Sequence, residues 1–241
     1  MRVTIVGSSH GVPEANRKCS CIMVEVGENI YFVDMGTSAI DALRNRGLSM
    51  DAVKGVFITH MHGDHINGLI PFVDLINWYF KTANPVICLP NPEAARVIHD
   101  WMQVTLNSNW INLTYQKVQS GEVFNDGVLK VTAFATQHCK DSFAYLLEAE
   151  GKAVLCTGDL KHPSVDMPNV IRQRSLDLLI CESAHFPAMD YLPVLEGCRI
   201  QKVCVTHYSY KRLGSVMELH KTLTEQGQAI VLATDDLQLQ V

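Results

Sequence analysis

One stretch limits the folds open to this chain more than any other, Thr59-His60-Met61-His62-Gly63-Asp64-His65. Four potential metal ligands, His60, His62, Asp64 and His65, fall within six positions. Three of them are imidazoles, the commonest metal ligands in proteins. Upstream, the apolar, β-branched run from Val53 to Thr59 predicts a buried strand. Downstream, Ile66, Leu69, Ile70, Val73, Ile76 and Phe80 recur at helical spacing. The ligands therefore stand on a strand-to-helix turn, a rigid support for a site that must hold side chains in one geometry. In an extended segment residues i and i+2 point the same way, so His60 and His62 can close on one ion. Gly63 then lets the chain turn, and Asp64 and His65 can aim at a second ion beside it.

The other strand ends carry similar residues. Val131 to Thr136 predicts a strand that delivers His138, and Ala153 to Thr157 one that delivers Asp159 after a glycine. Leu176 to Cys181 leads into Glu182-Ser183-Ala184-His185, and Val203 to Thr206 into His207-Tyr208-Ser209. Phe32-Val33-Asp34 places a carboxylate at the end of a buried strand, where it suits an acceptor for the free N–H of a ligand histidine. An N-cap role for Asp34 or Thr37 is the alternative. Ser38 to Arg46, Pro92 to about Leu106 and Leu213 to Thr224 are expected helices. Hairpins are expected around Gly27-Glu28-Asn29 and Glu150-Gly151-Lys152, with further strands over Val86 to Leu89, Leu113 to Val118, Val128 to Phe134 and Ala229 to Ala233. The tail from Asp235 to Val241 carries no assignment.

Together these stretches resemble the metallo-β-lactamase superfamily. The form Thr-His-x-His-Gly-Asp-His-x-x-Gly-Leu is most similar to the ribonuclease Z and phosphodiesterase branch, because Ile66-Asn67-Gly68-Leu69 stands where lactamases and thioesterases carry a Gly-Gly pair. The N-terminal loop Gly7-Ser8-Ser9-His10-Gly11-Val12-Pro13, with Arg17 and Ser20, resembles the loop beside the metal site in ribonuclease Z. The resemblance implies one domain over residues 1–241, an α/β fold of the αβ/βα four-layer sandwich type, with two packed mixed β-sheets and helices outside. It implies that His60, His62 and His138 hold one ion, that Asp64, His65 and His207 hold another, and that Asp159 bridges them. Asp34 then serves as an acceptor behind the ligands, and His10, Arg17, Lys161 and Ser209 are substrate-contact candidates. Imidazole-rich ligation favours zinc, and the carboxylates also tolerate manganese or iron.

Two divalent ions, two carboxylates and a bridging hydroxide leave such a pocket at about +1, which attracts an anionic phosphodiester. The paired ions make a nucleophile from their shared water at neutral pH. A leaving oxygen needs a proton donor. Ribonuclease Z has a histidine where this chain has Cys181, so His185 is the candidate acid, with Glu182 orienting it. Lys161, His162, Lys211 and Arg212 are candidate phosphate contacts. Only a hairpin's length separates His138 from Asp159, and no transfer-RNA-binding arm is evident before His207. The expected substrate is therefore a small or cyclic phosphodiester such as a cyclic nucleotide, and transfer RNA is disfavoured. An ester, thioester or lactone hydrolase is the alternative, and a non-catalytic ligand-binding role ranks below both. The resemblance allows a homodimer, although no interface stripe is evident.

Composition narrows the remainder. A net charge of −5 argues against a chain coated in basic surface for nucleic acid. No apolar run approaches a membrane span, and the N-terminus lacks a signal-peptide pattern, so a cytoplasmic location is the expectation. The eight cysteines are expected as thiols rather than a disulfide framework. Cys19 and Cys21 form a weak Cys-x-Cys metal candidate.

Overall fold

Along Leu176–Glu182, Leu178 and Ile180 pack into one apolar layer while Leu179 and Cys181 pack into another. Side chains alternate across a strand, so a strand apolar at successive positions is covered on both faces. The computed structural model describes residues 1–105 and 113–241, and within them this rule produces four layers.

The first sheet contains β1 (Arg2–Gly7), β2 (Cys21–Val26), β3 (Asn29–Val33), β4 (Val53–Phe57), β5 (Val86–Leu89) and β6 (Thr114–Lys117). The second contains β7 (Gly121–Asn125), β8 (Lys130–Ala135), β9 (Phe143–Ala149), β10 (Lys152–Cys156), β11 (Leu176–Glu182), β12 (Ile200–Thr206) and β13 (Ala229–Leu232). The last strand, β14 (Leu237–Gln240), returns to the first sheet. The orders are β14-β1-β2-β3-β4-β5-β6 and β13-β12-β11-β10-β9-β8-β7. In each sheet one half is antiparallel and the other parallel, the change falling at β3 and at β10.

The parallel connections carry helices. α1 (Ala39–Arg44), α2 (Gly63–Ile66), α3 (Leu69–Trp78) and α4 (Glu93–Val104) belong to the first half. α5 (Pro163–Asp166), α6 (Val170–Gln173), α7 (Leu192–Leu195) and α8 (Leu213–Glu225) belong to the second. Val3, Tyr31, Phe57, Val131, Tyr145 and Ile180 fill the space between the sheets. Phe32, Leu43, Phe72 and Met102 join the first sheet to its helices, and Leu155, Leu179, Tyr191 and Val216 do so for the second. This is the metallo-β-lactamase fold, as the resemblance implied.

Several expectations need revision. The helix expected from Ile66 to Phe80 is two helices, parted at Gly68. There the chain runs against Thr37: a Cβ on Gly68 would lie 2.2 Å from the Thr37 carbonyl oxygen, and Gly68 N–H donates to Met35 at 2.7 Å. α1 is capped by Ser38, whose hydroxyl accepts from Asp41 N–H, so neither Asp34 nor Thr37 is the cap. β7 was not expected, and the unassigned tail forms β14 against β1. The helix expected to reach Leu106 ends at Val104, and Leu106 lies outside the described residues. All eight cysteines are free, and among the described residues no helix is long and apolar enough to cross a membrane.

Candidate metal centre

Every candidate ligand stands just beyond the C-terminal end of a strand, the side on which open α/β sheets expose their binding crevices. His60, His62, Asp64 and His65 follow β4, His138 follows β8, Asp159 follows β10, and His207 follows β12. The two sheets meet there. Phe143 N–H donates to the Thr59 carbonyl at 2.9 Å, and the Tyr145 hydroxyl donates to the Ile58 carbonyl at 2.6 Å. Asp34, Gly158 and His207 have φ of 59°, 57° and 49°. The left-handed region is costly for residues other than glycine, although Asp and His visit it more than most, and such strain concentrates at functional sites.

The donors gather into two groups. His60 Nε2 lies 2.9 Å from His62 Nδ1, which lies 3.2 Å from His138 Nε2. Asp64 Oδ2 lies 3.3 Å from His65 Nε2 and 3.6 Å from His207 Nε2. Asp159 reaches both groups. Its Oδ2 is 3.8 Å from His60 Nε2 and 3.7 Å from His138 Nε2, while its Oδ1 is 3.4 Å from both His65 Nε2 and His207 Nε2. Donors about 2.0–2.1 Å from a tetrahedral ion stand about 3.3–3.4 Å apart, which both sets approach. The buried atoms His65 Nε2 and Asp159 Oδ1 have no hydrogen-bond partner, an expensive arrangement unless a cation engages them. The donor set thus fits two divalent cations. Cys19 and Cys21 belong to none of the ligand clusters found among the described residues.

Hydrogen bonds behind the donors set the tautomers. Asp34, buried at 2% exposure, accepts from Thr59 N–H at 2.7 Å, from the Thr59 hydroxyl at 2.9 Å and from His65 Nδ1 at 2.7 Å. The Thr59 oxygen lies 3.1 Å from His60 Nδ1. Both imidazoles therefore turn Nε2 to the cluster. Burial, then the neighbouring His65, lowers the His60 pKa to about 2. Burial would also lower His65, but Asp159 and Asp34 override it and hold His65 well above its ordinary 6.5. Asp159 would be raised by burial, yet His207 and His65 hold it well below the usual carboxylate range. Burial acts likewise on Asp64, and the bond and charge of His65, with His207, bring it to about 2.

His185 completes the rim. Its Nδ1 lies 2.8 Å from Glu182 Oε1, its ring centroid is 4.5 Å from that of His138, and Nδ1 is 3.7 Å from Asp159 Oδ2. The hydrogen bond to Glu182 is the main reason its pKa is raised. Glu182 also accepts from Leu160 N–H at 2.9 Å and Ala184 N–H at 2.7 Å, which ties the loop after Asp159 to the His185 loop. Cys181, one residue earlier on β11, points to the opposite layer and is buried among the outer helices. His62 and His185 are exposed, so the cluster opens to solvent on their side.

The weaker substrate candidates fare differently. Gly11 abuts Asp64, a Cβ there being 3.3 Å from Oδ2, so the N-terminal loop does lie beside the cluster. His10 lies 3.6 Å from Glu14. Four of the five Arg17 donors go to Ser8 Oγ, Ser8 O, Glu14 and Tyr208 O, so it braces the loop. Lys161 is exposed, and its backbone N–H donates to Asp166. Ser209 precedes the turn Tyr210–Arg212 and makes no side-chain cap. His162 pairs with Asp190, while Arg212 donates to the carbonyls of Ala184 and His185. Two residues escaped the sequence reading. Asp166 accepts from Gln137, Lys161 and His162 N–H groups and so joins the loops bearing His138 and Asp159. Its signal was the His162-Pro163 helix start, with Pro at the first helical position. Asp235 holds Ser8, and its partner is remote in sequence.

Comparison with known proteins adds family and fold. A family model described as "Anti-Pycsar protein Apyc1" matches residues 1–228. Ribonuclease BN of Citrobacter koseri is 27% identical over 158 residues, covering 63% of this chain and 51% of that protein, so the chain spans about half the length of this relative. Human tRNase Z, short form, superposes with a TM-score of 0.78 at 19% identity, covering 100% of this chain and 99% of that one. A diphosphatase from the PhnP family does so with 0.70 at 18% identity, covering 100% and 97%.

Proposed function

Since the chain belongs to the Anti-Pycsar protein Apyc1 family, we propose that it is a metal-dependent phosphodiesterase that hydrolyses a small cyclic phosphodiester, such as a cyclic nucleotide, at a two-ion centre best suited to zinc. The observation that carries the reading is the split Asp159 carboxylate, with one oxygen against His65 and His207 and the other against His60 and His138. His60, His62 and His138 would hold one ion, Asp64, His65 and His207 the other, and Asp159 would contribute an oxygen to each. Ions bound there would supply a hydroxide nucleophile at neutral pH and stabilise charge on the attacked phosphate.

The chain's own residues do the rest. Asp34 and Thr59 keep the Nε2 lone pairs of His65 and His60 turned inward. Glu182 engages His185 Nδ1 and favours its protonated form, so the Nε2 proton is the one the ring can give up. When the ester P–O bond breaks, the His185 Nε2 proton passes to the leaving oxygen, while the entering hydroxide oxygen keeps its single hydrogen as the new P–OH. The product is a phosphomonoester bearing a free hydroxyl on the same molecule. The short β9–β10 hairpin between His138 and Asp159 supports a small substrate over transfer RNA.

Protein of known metal content is assayed on a cyclic mononucleotide and on a thioester. Turnover of the former, abolished in Asp159→Ala, supports the reading. Thioester turnover alone sinks it.

A further inference from the structure

His207 is the one proposed ligand whose backbone sits in the left-handed region. A non-glycine residue stays there only when its surroundings hold it. Its N–H donates to the Ser8 carbonyl at 3.0 Å, and its carbonyl accepts from Ser183 N–H at 3.3 Å. Ser8 is fully buried, and all its polar groups are engaged. Its N–H and hydroxyl donate to Asp235 Oδ1 at 2.9 and 2.8 Å. Its carbonyl also accepts from Arg17 Nη2 at 2.6 Å, and its hydroxyl oxygen from Arg17 Nε at 3.2 Å. Arg17 Nη1 reaches the carbonyl of Tyr208, next to His207, at 2.7 Å, and the guanidinium lies 4.3 Å from the centre of the Tyr208 ring. Asp235 Oδ2 takes Lys18 N–H at 2.7 Å, which closes the loop from both ends.

We infer that Asp235, acting through Ser8 and Arg17, is a positioning residue for His207 and sets the affinity of one ion position and not the other. The inference rests on the two-ion reading above. Selectivity follows from what the loop touches. Gly11 abuts Asp64 and Ser8 holds His207, and both belong to the Asp64–His65–His207 group. Asp235 makes none of the bonds that hold His60, His62 or His138. Nor is its carboxylate needed to keep the tail in place, because β14 pairs with β1 over Arg2 to Ile5 without it. It acts where a cation and an anion are joined through one hydroxyl, a charge-assisted arrangement stronger than a neutral pair.

The experiment titrates zinc into metal-free wild type, Asp235→Ala, Asp235→Asn and Asp236→Ala against a competing chelator, with cobalt(II) absorption as a second readout. Asn keeps an acceptor for Ser8, and Asp236 pairs with Arg46 and Lys18 without touching Ser8. In Asp235→Ala one ion binds ~10–100-fold more weakly, the usual effect of removing a group that orients a ligand, while the other keeps its affinity. Asp235→Asn recovers part of the loss, and Asp236→Ala matches wild type. Equal weakening of both ions, the same loss in Asp236→Ala, or no change in Asp235→Ala overturns the inference. Wild type that takes a single ion overturns the two-ion reading and this inference with it.

Discussion

Asp34→Asn isolates the carboxylate behind the ligands. The Asp34 carboxylate accepts from Thr59 N–H, from the Thr59 hydroxyl and from His65 Nδ1–H. An amide has one acceptor oxygen and two donor hydrogens. If the oxygen faces Thr59 N–H, the NH₂ faces His65 Nδ1 and forces the proton to Nε2, the atom that points at Asp64 and Asp159. If the amide turns over, two donors meet at Thr59. Backbone strain does not confuse the result, because Asn shares the tolerance of Asp for the φ of 59°. Loss of one buried hydrogen bond to a charged group costs about 1.5–3 kcal/mol. That corresponds to roughly 10–100-fold in zinc affinity, at about 1.4 kcal/mol for each factor of ten. Chelator competition measures it, and circular dichroism checks the fold. Wild-type zinc affinity in a folded Asp34→Asn protein would mean that Asp34 does not orient His65.

The remaining predictions use other parts of the site and fold. Glu182→Gln removes the main cause of the raised His185 pKa, so His185 loses its proton at lower pH and the basic limb of the pH–rate profile moves to lower pH. A profile measured on a substrate with a poor leaving group shows this, and an unmoved limb excludes His185 as the acid. Zinc binding at pH 7 releases a proton, because His65 is protonated above its ordinary 6.5 in the metal-free protein and must give up that proton to bind through Nε2. Calorimetry in two buffers of different protonation enthalpy detects the release, and buffer-independent heats argue against it. Gly68→Ala drives a Cβ into the Thr37 carbonyl and destabilises toward the upper end of the ~1–3 kcal/mol range for overpacking. Gly214→Ala in α8 meets nothing within 4 Å and stabilises by up to about 1 kcal/mol. Denaturant midpoints of the two variants should therefore move in opposite directions.

Much of the candidate ligand set was legible because it is locally dense and flanked by strong periodicity. Four candidate ligands within six positions, an apolar strand before them and helical spacing after them needed no tertiary information. His138, Asp159 and His207 were legible as polar endings to apolar strands, and it was the family resemblance that marked them as candidate ligands. What escaped depends on partners far along the chain. Gly68 splits the expected helix because of Thr37, on another element. β14 alternates over only four residues and becomes a strand by pairing with β1. Arg17 was legible only as a substrate-contact candidate, and its bracing bond to the Tyr208 carbonyl spans 191 positions. Local pattern carries no trace of such contacts. His185 lay between the two cases, since its distance from Glu182 was visible in sequence while its approach to Asp159 required the fold.

Cooperation of two ions is read by following phosphodiester hydrolysis while zinc is added to metal-free protein of known concentration. If Asp159 joins two ions into one catalytic centre, turnover is slight while most chains hold a single ion, rises as the second equivalent binds and levels off at two per chain. Asp159→Ala then stays inactive at any loading. Full turnover at one ion per chain, or an active Asp159→Ala protein, would mean that Asp159 does not join two ions into one catalytic centre.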